Sequence, residues 1–293
     1  MNRYCIVTYH YIREGDGLHG CAPELFRSQL DHIKNAYAVL SLPELYLAAK
    51  EGREGSFCAL TFDDGCKEHV SVALPELQKR NMSGTFFVIG STLTERRITM
   101  THKLHFILPR MASVSIAAFL RDFSSGRIVV PEDQRMNPKR RFDDVVTANL
   151  KEVLIRMPID ERAAFIDAVW EKIGIDESSI ADEFFMDVKD VRALCGAGMD
   201  VASHTYSHLG LDVISKEDQR REIERGQDAL ESVVHERSPL FSYPNGRYTE
   251  ETFDILRERE IQLAVILGAR DVGREDHPLA LPRFDANDIK KGV

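Results

Sequence analysis

The chain has 293 residues, enough for one large α/β domain or two smaller ones, and 43% apolar residues suffice for a sizeable core. A net charge of −9 argues against a nucleic-acid or polyanion surface. Five cysteines (Cys5, Cys21, Cys58, Cys66 and Cys195) are odd in number and form no CxxC pair, which suits a reducing compartment better than a disulfide framework. Residues 1–12 lack the features of a signal peptide. No apolar run approaches the ~20 residues that cross a bilayer, so the expectation is a soluble, cytoplasmic protein.

Tyr4 to Tyr11 is apolar and β-rich and predicts a first core strand with His10 near its C-terminal end. Residues 13–20 read as a loop, and Pro23 opens a helix with Phe26, Leu30 and Ile33 on one face. Ser41-Leu42-Pro43-Glu44 is a capping box that starts a second helix. Phe57 to Phe62 is a short buried strand that ends in Asp63-Asp64-Gly65. The segment from Gly65 to Lys79 reads as a helix despite Pro75, and Gly84 to Gly90 is the next strand. This alternation predicts βαβ units around a parallel sheet. From about residue 99 to 186 the pattern breaks into a polar, mostly helical insertion within a single domain spanning 1–293. Its apolar positions lie in Ala112–Phe119 and Val145–Trp170, and a basic stretch runs from Arg135 to Arg141. That stretch is read first as a solvated surface turn, and second as a patch for an anionic lipid or phosphate.

Alternation then resumes. Asp187 caps a helix, Met199–Ala202 is a strand, and Ser203-His204-Thr205-Tyr206-Ser207-His208 follows it at once. Ser215 caps another helix, and Leu240–Tyr243 is a strand running into Pro244-Asn245-Gly246. Thr249 caps a further helix, and Ile261–Leu267 and Leu281–Asp285 are the last extended pieces.

Two carboxylates at the end of a buried strand are costly unless a cation compensates them. One of the pair could bind a metal while the other stays free as a base; a helix N-cap is the plainer reading of a single Asp. His204 and His208 are four apart, which on a helical turn puts both imidazoles on one side. Both motifs follow strands whose C-terminal ends converge in a parallel barrel. Two nitrogens and one oxygen suit a divalent transition metal with open positions, zinc first, with cobalt, nickel or manganese as alternatives.

Thr61-Phe62-Asp63-Asp64-Gly65, His204-Thr205-Tyr206-Ser207-His208 and, more loosely, Phe241-Ser242-Tyr243-Pro244-Asn245-Gly246 resemble the three motifs of the polysaccharide deacetylases of the NodB-homology group, carbohydrate esterase family 4. The resemblance implies a distorted (β/α)-barrel and metal-dependent removal of an N-acetyl group from an amino sugar in a polysaccharide, a lipid-linked glycan or a sugar precursor. It implies Asp63 as general base and Asp64, His204 and His208 as metal ligands. Tyr243, Pro244 and Asn245 would form the substrate and oxyanion stretch. The family's usual third-motif arginine is replaced here by Ser242; Arg283 is the candidate to steady the base, with Arg247 second. The usual C-terminal Leu-x-His motif is missing, and His277 sits in a polar loop. His10 is therefore assigned as general acid, as in a subgroup similar to the circularly permuted poly-N-acetylglucosamine deacetylases, with Asp271 or Asp285 to orient it. His32, His69, His102, His105 and His235 read as surface or packing residues. Competing readings are a deformylase or other small-acyl amidohydrolase, and a non-catalytic glycan-binding relative.

Overall fold

The computed structural model describes residues 2–288 apart from 16, 19, 139, 141 and 142. Its strands are β1 (Arg3–Tyr9), β2 (Ala38–Val39), β3 (Ser56–Phe62), β4 (Thr85–Val88), β5 (Asp200–Ser203), β6 (Leu240–Ser242), β7 (Leu263–Leu267) and β8 (Leu281–Asp285). Seven of them close a ring. β3, β4, β5, β6, β7 and β8 are neighbours in that order, β8 pairs with β1, and β1 pairs back to β3 from Arg3↔Ser56 to Tyr9↔Phe62. Every pairing is parallel, so all seven C-terminal ends open on one rim. The expected distorted (β/α)-barrel is what forms. The short β2 lies outside the ring against the first half of β3, and the sequence reading did not anticipate it.

Alternation along the strands sorts the core. Ile6, Ala59, Phe87, Ala202, Val265 and Leu281 share one apolar cluster, joined by Leu42, Leu45, Ala48 and Ala49 of α2 (Leu42–Glu51). Their strand neighbours Cys5, Val7, Cys58, Leu60, Phe86 and Val201 pack instead with α1 (Pro23–Ala36), α3 (Leu74–Arg80) and α10 (Val188–Gly196). The first set is the barrel interior. Continued toward the rim, the same parity reaches His10, Asp63, His204, Ser242 and Arg283.

The remaining helices are α4 (Gly90–Thr94), α5 (Met100–Ile107), α6 (Ser113–Phe123), α7 (Val145–Arg156), α8 (Ile159–Ile173), α9 (Glu177–Phe184), α11 (Lys216–Val234) and α12 (Glu250–Glu258). The capping box expected at Ser41 is present, and the caps expected at Asp187 and Thr249 also form capping boxes. The helix expected from Gly65 to Lys79 is not continuous. Cys66 bridges Phe185, a π-turn covers His69–Ala73, and only then does α3 begin. Pro75 explains the break: it has no N–H, and its ring would crowd the carbonyl four residues back, so the chain widens to close Leu74 N–H onto the His69 carbonyl.

The chain forms two compact units. The first carries every strand. The second comprises Gly15–Leu18 and Thr99–Asp176 and is built from α5 to α8, around Phe106, Ile116, Leu120, Leu150, Phe165 and Trp170. The apolar run Val145–Trp170 is split at Pro158 into α7 and α8. Two arginines of the basic stretch are spent internally: Arg135 donates to the carbonyls of Arg140 and Asp143, and Arg140 pairs with Glu152 at 2.6 Å. Lys139 and Arg141, like residues 16 and 19 of the expected loop, lie outside the described residues.

Candidate active site

Asp63 follows Phe57, Ala59 and Thr61 on the inward parity of β3 and is 2% exposed. Asp64 should point the other way. It does not, because its backbone turns left-handed (φ 76°) with Gly65 (φ 70°) behind it, and this swings the second carboxylate to the same rim. The left-handed Asp64 is backbone strain, of about 1–3 kcal/mol, at the point where two adjacent carboxylates reach one rim.

His204 extends the inward parity of β5. The expected helical turn to His208 is absent: residues 204–208 form a loop in which Thr205 (φ 64°) and His208 (φ 59°) are left-handed. The imidazoles still meet, with ring centroids 5.0 Å apart. The loop is tightly held. Gly90 and Ser91 amides donate to the Thr205 and Tyr206 carbonyls at 3.0 and 2.8 Å, and Glu222 on α11 accepts from the Ser207 amide and hydroxyl. Gly226 lets α11 come this close, since a Cβ there would stand 2.6 Å from the Thr205 backbone.

Asp64, His204 and His208 offer one oxygen and two nitrogens within 4.8 Å of one another, all buried. Asp64 Oδ1 lies 3.5 Å from His204 Nε2 and 3.3 Å from His208 Nε2. His204 Nδ1 donates to the Ser242 carbonyl at 2.8 Å; a carbonyl only accepts, so Nδ1 carries a hydrogen and Nε2, the nitrogen turned toward Asp64, is the one the neutral ring would offer as a ligand. This donor set fits a divalent transition metal. Burial pulls the His204 pKa down, yet the facing Asp63 and Asp64 outweigh it and leave it above its ordinary value.

The neighbouring carboxylate has opposite surroundings. Arg283, 2% exposed in β8, grips Asp63 with two bonds, Nη1 to Oδ1 at 2.8 Å and Nη2 to Oδ2 at 2.6 Å. The same guanidinium donates to Thr61 Oγ1 and Ser242 Oγ, and the Ser242 hydroxyl lies 3.2 Å from Asp63 Oδ2. Burial would raise the Asp63 pKa; Arg283, with His204 and His10, holds it down to about 2. His10 Nε2 stands 3.9 Å from Asp63 Oδ2 with its side chain 31% exposed at the rim.

Other candidates lie elsewhere or are engaged. Arg247, the second choice for steadying the base, pairs with Asp212. Asp271 pairs with Arg3, at the opposite end of β1 from His10, and Asp285 accepts from the Asn287 amide. His277 stacks on Phe253. In the third motif the Tyr243 amide donates to Val265 and its hydroxyl to Leu279, while Gly246 and Arg247 amides bond back to Tyr243 and Pro244. Pro244 has no N–H, so Asn245 (φ 57°) carries the amide of this turn that bonds to no described carbonyl. Ser242, Thr61 and Glu222 were missed as supporting residues. The period-two pattern running back from Asp63 and up from Leu240 would have found the first two.

A family model described as polysaccharide deacetylase matches residues 50–113 and 162–264, more than half of the chain. YxkH of Bacillus subtilis (strain 168), a protein named for polysaccharide deacetylation, is 26% identical over 105 residues, which span 36% of this chain and 38% of YxkH. Among solved structures, the Streptococcus pyogenes deacetylase PplD in complex with acetate superposes with a TM-score of 0.60 at 19% identity, over 97% of this chain and 92% of that one. IcaB from Ammonifex degensii gives 0.59 at 16% identity, over 96% and 90%. A de-N-acetylase from Aggregatibacter actinomycetemcomitans gives 0.57 at 14%, over 98% and 97%. At these identities the superpositions speak for the barrel, and the family model speaks for the lineage: the chain belongs to the polysaccharide deacetylase family, of the NodB-homology type.

Proposed function

We propose that this protein is a metal-dependent N-deacetylase acting on an N-acetylated amino sugar within a glycan or its precursor. The carrying observation is the division of labour between adjacent carboxylates at one barrel rim. Asp63 is held ionised by the Arg283 fork, while Asp64 faces two imidazoles. Asp64, His204 and His208 would hold the cation, zinc first, with cobalt, nickel or manganese as alternatives. When bound, that cation would polarise the scissile amide carbonyl and acidify the attacking water.

The chain's own groups supply the rest. Asp63 takes the water proton at a carboxylate oxygen; Arg283 and Ser242 fix its orientation, so no rotation precedes transfer. The Asn245 amide donates to the carbonyl oxygen as negative charge develops there. His10 delivers a proton to the leaving nitrogen, which an amine requires at neutral pH. Within this reading the chain is one deacetylase domain, and residues 99–186 are an insertion in it. A cytoplasmic location belongs to the same proposal and is supported by free thiols at Cys5, Cys21, Cys58, Cys66 and Cys195; recovery of the native protein from a periplasmic fraction would contradict it.

The test is acetate or formate release from N-acetyl and N-formyl amino-sugar oligomers by zinc- or cobalt-loaded protein. Acetate release supports the proposal, and faster formate release moves it to a deformylase. Metal-loaded protein that releases neither across a broad panel, yet binds glycans, would replace it with the binding-module reading.

A further inference from the structure

Three consecutive carbonyls fix the segment that carries His10. The Tyr9 carbonyl accepts from the Asp63 amide and the Tyr11 carbonyl from the Cys21 amide, each at 2.9 Å. Between them, the His10 carbonyl lies 2.9 Å from Nε2 of His69. A carbonyl only accepts, so the imidazole is the donor and Nε2 bears its hydrogen. The outer two anchors are backbone groups that any residue supplies. The middle one is a side chain.

His69 is fully buried, 5.5 Å from the Phe62 ring and 5.8 Å from the Phe86 ring. Its Nδ1 has no hydrogen-bond partner among the described residues. An unpaired buried nitrogen is destabilising, and an apolar ring would suit this pocket at least as well. Packing therefore does not account for an imidazole here; the bond to His10 does. His69 opens the π-turn, its own carbonyl accepting from the Leu74 amide, so its backbone is held at both ends of the widened turn. Burial pushes its pKa down to about 4, so the ring stays a neutral donor at neutral pH.

We propose that His69 is a positioning residue for His10, its Nε2–H···O bond setting where the His10 imidazole stands beside Asp63 and the metal-binding cluster. This rests on reading His10 as the general acid. Displacing a proton donor by about 1 Å is enough to lose much of its effect, whereas binding of the sugar is little changed.

The test uses two classes of variant on zinc-loaded protein. His69→Phe keeps a ring and removes the donor, with His69→Met as a second donor-free variant; His69→Gln retains an N–H. Each is assayed on an N-acetylglucosamine oligomer, whose amine must be protonated, and on 4-nitrophenyl acetate, whose phenolate leaves without a proton. Donor-free variants are expected to lose about tenfold or more in kcat on the oligomer. Their KM, metal content and ester hydrolysis should stay at wild-type values, and His69→Gln should recover most of the loss. Equal losses on both substrates, no recovery in His69→Gln, or no loss at all would overturn the proposal. A readout without turnover separates it from the deacetylase reading. At fixed pH the His10 ring signal in ¹⁵N-histidine NMR should move in His69→Phe and stay in His69→Gln. If the wild type cleaves no N-acetylated sugar, the function fails, and this signal still decides the bond.

Discussion

Asp63 and Asp64 are adjacent in the chain and differ in almost everything around them. Asp63 is enclosed by donors: two from Arg283, one from Ser242, and His10 at the rim. Asp64 faces two imidazoles across distances of 3.5 and 3.3 Å, an arrangement of donor atoms that gathers around a cation. One carboxylate is neutralised by the protein itself and is thereby fixed in place. The other belongs to a cluster of one oxygen and two nitrogens that could hold a metal ion. The lesson is that a left-handed residue at the end of a strand can turn a period-two pattern into two chemically distinct surroundings one residue apart.

The largest effects should come from breaking each compartment separately. Asp63→Asn keeps the volume and removes the base, so kcat on an N-acetylated oligomer should fall by about 10³-fold or more with metal retained. Asp64→Ala should abolish activity together with metal. If Asp63→Asn retained activity within tenfold, Asp63 would not be the base. Next in size is the fork. Arg283→Ala strands a buried carboxylate and should cost about 3–5 kcal/mol in denaturant unfolding. Arg283→Lys restores the charge without the bidentate geometry and should recover only part. Equal stability in all three proteins would show that the pairing carries no energy.

A smaller effect is expected from pH. His69 has an ordinary pKa near 6.5 when unfolded and about 4 when folded. The unfolded chain therefore binds a proton first as pH falls, so stability is complete above pH 6.5 and is lost progressively down to pH 4. The total is about 3 kcal/mol. His69→Gln should flatten that part of the pH–stability curve; an unchanged slope would mean that the imidazole does not titrate this way. The smallest effect should be at the rim pair Arg247–Asp212, whose side chains are each 31% exposed. Arg247→Ala is expected to change stability by less than about 1 kcal/mol and kcat by less than about twofold. A large loss of activity would reopen Arg247 as a residue of the site.

Much of this was legible in the sequence because the signals are local. Asp63-Asp64-Gly65 after an apolar run and His204–His208 after another announce two strand ends in one sheet, and closing the sheet brings them together. Arg283 was legible only as a choice between two arginines. Strand parity decides it: Arg283 lies two residues beyond the interior Leu281, whereas Arg247 sits in the turn after β6. The histidine spacing predicts a helical turn, yet a left-handed loop delivers the same meeting, since four residues can bring two rings together by more than one backbone path. His69 was illegible. Its meaning depends on a bond to a carbonyl 59 residues earlier, which leaves no mark in hydrophobic periodicity. Asp271 failed as a partner for His10 for a related reason: sequence gives no indication of which end of β1 it reaches, and it pairs with Arg3.

The most direct test of the division between the two carboxylates is metal content by elemental analysis of the purified wild type, Asp63→Asn, Asp64→Ala and His204→Ala. Near-stoichiometric metal in the wild type and in Asp63→Asn, with loss in the other two, is the expected result. A wild type that takes up neither zinc nor cobalt, or an Asp63→Asn variant that loses metal along with Asp64→Ala, would contradict it.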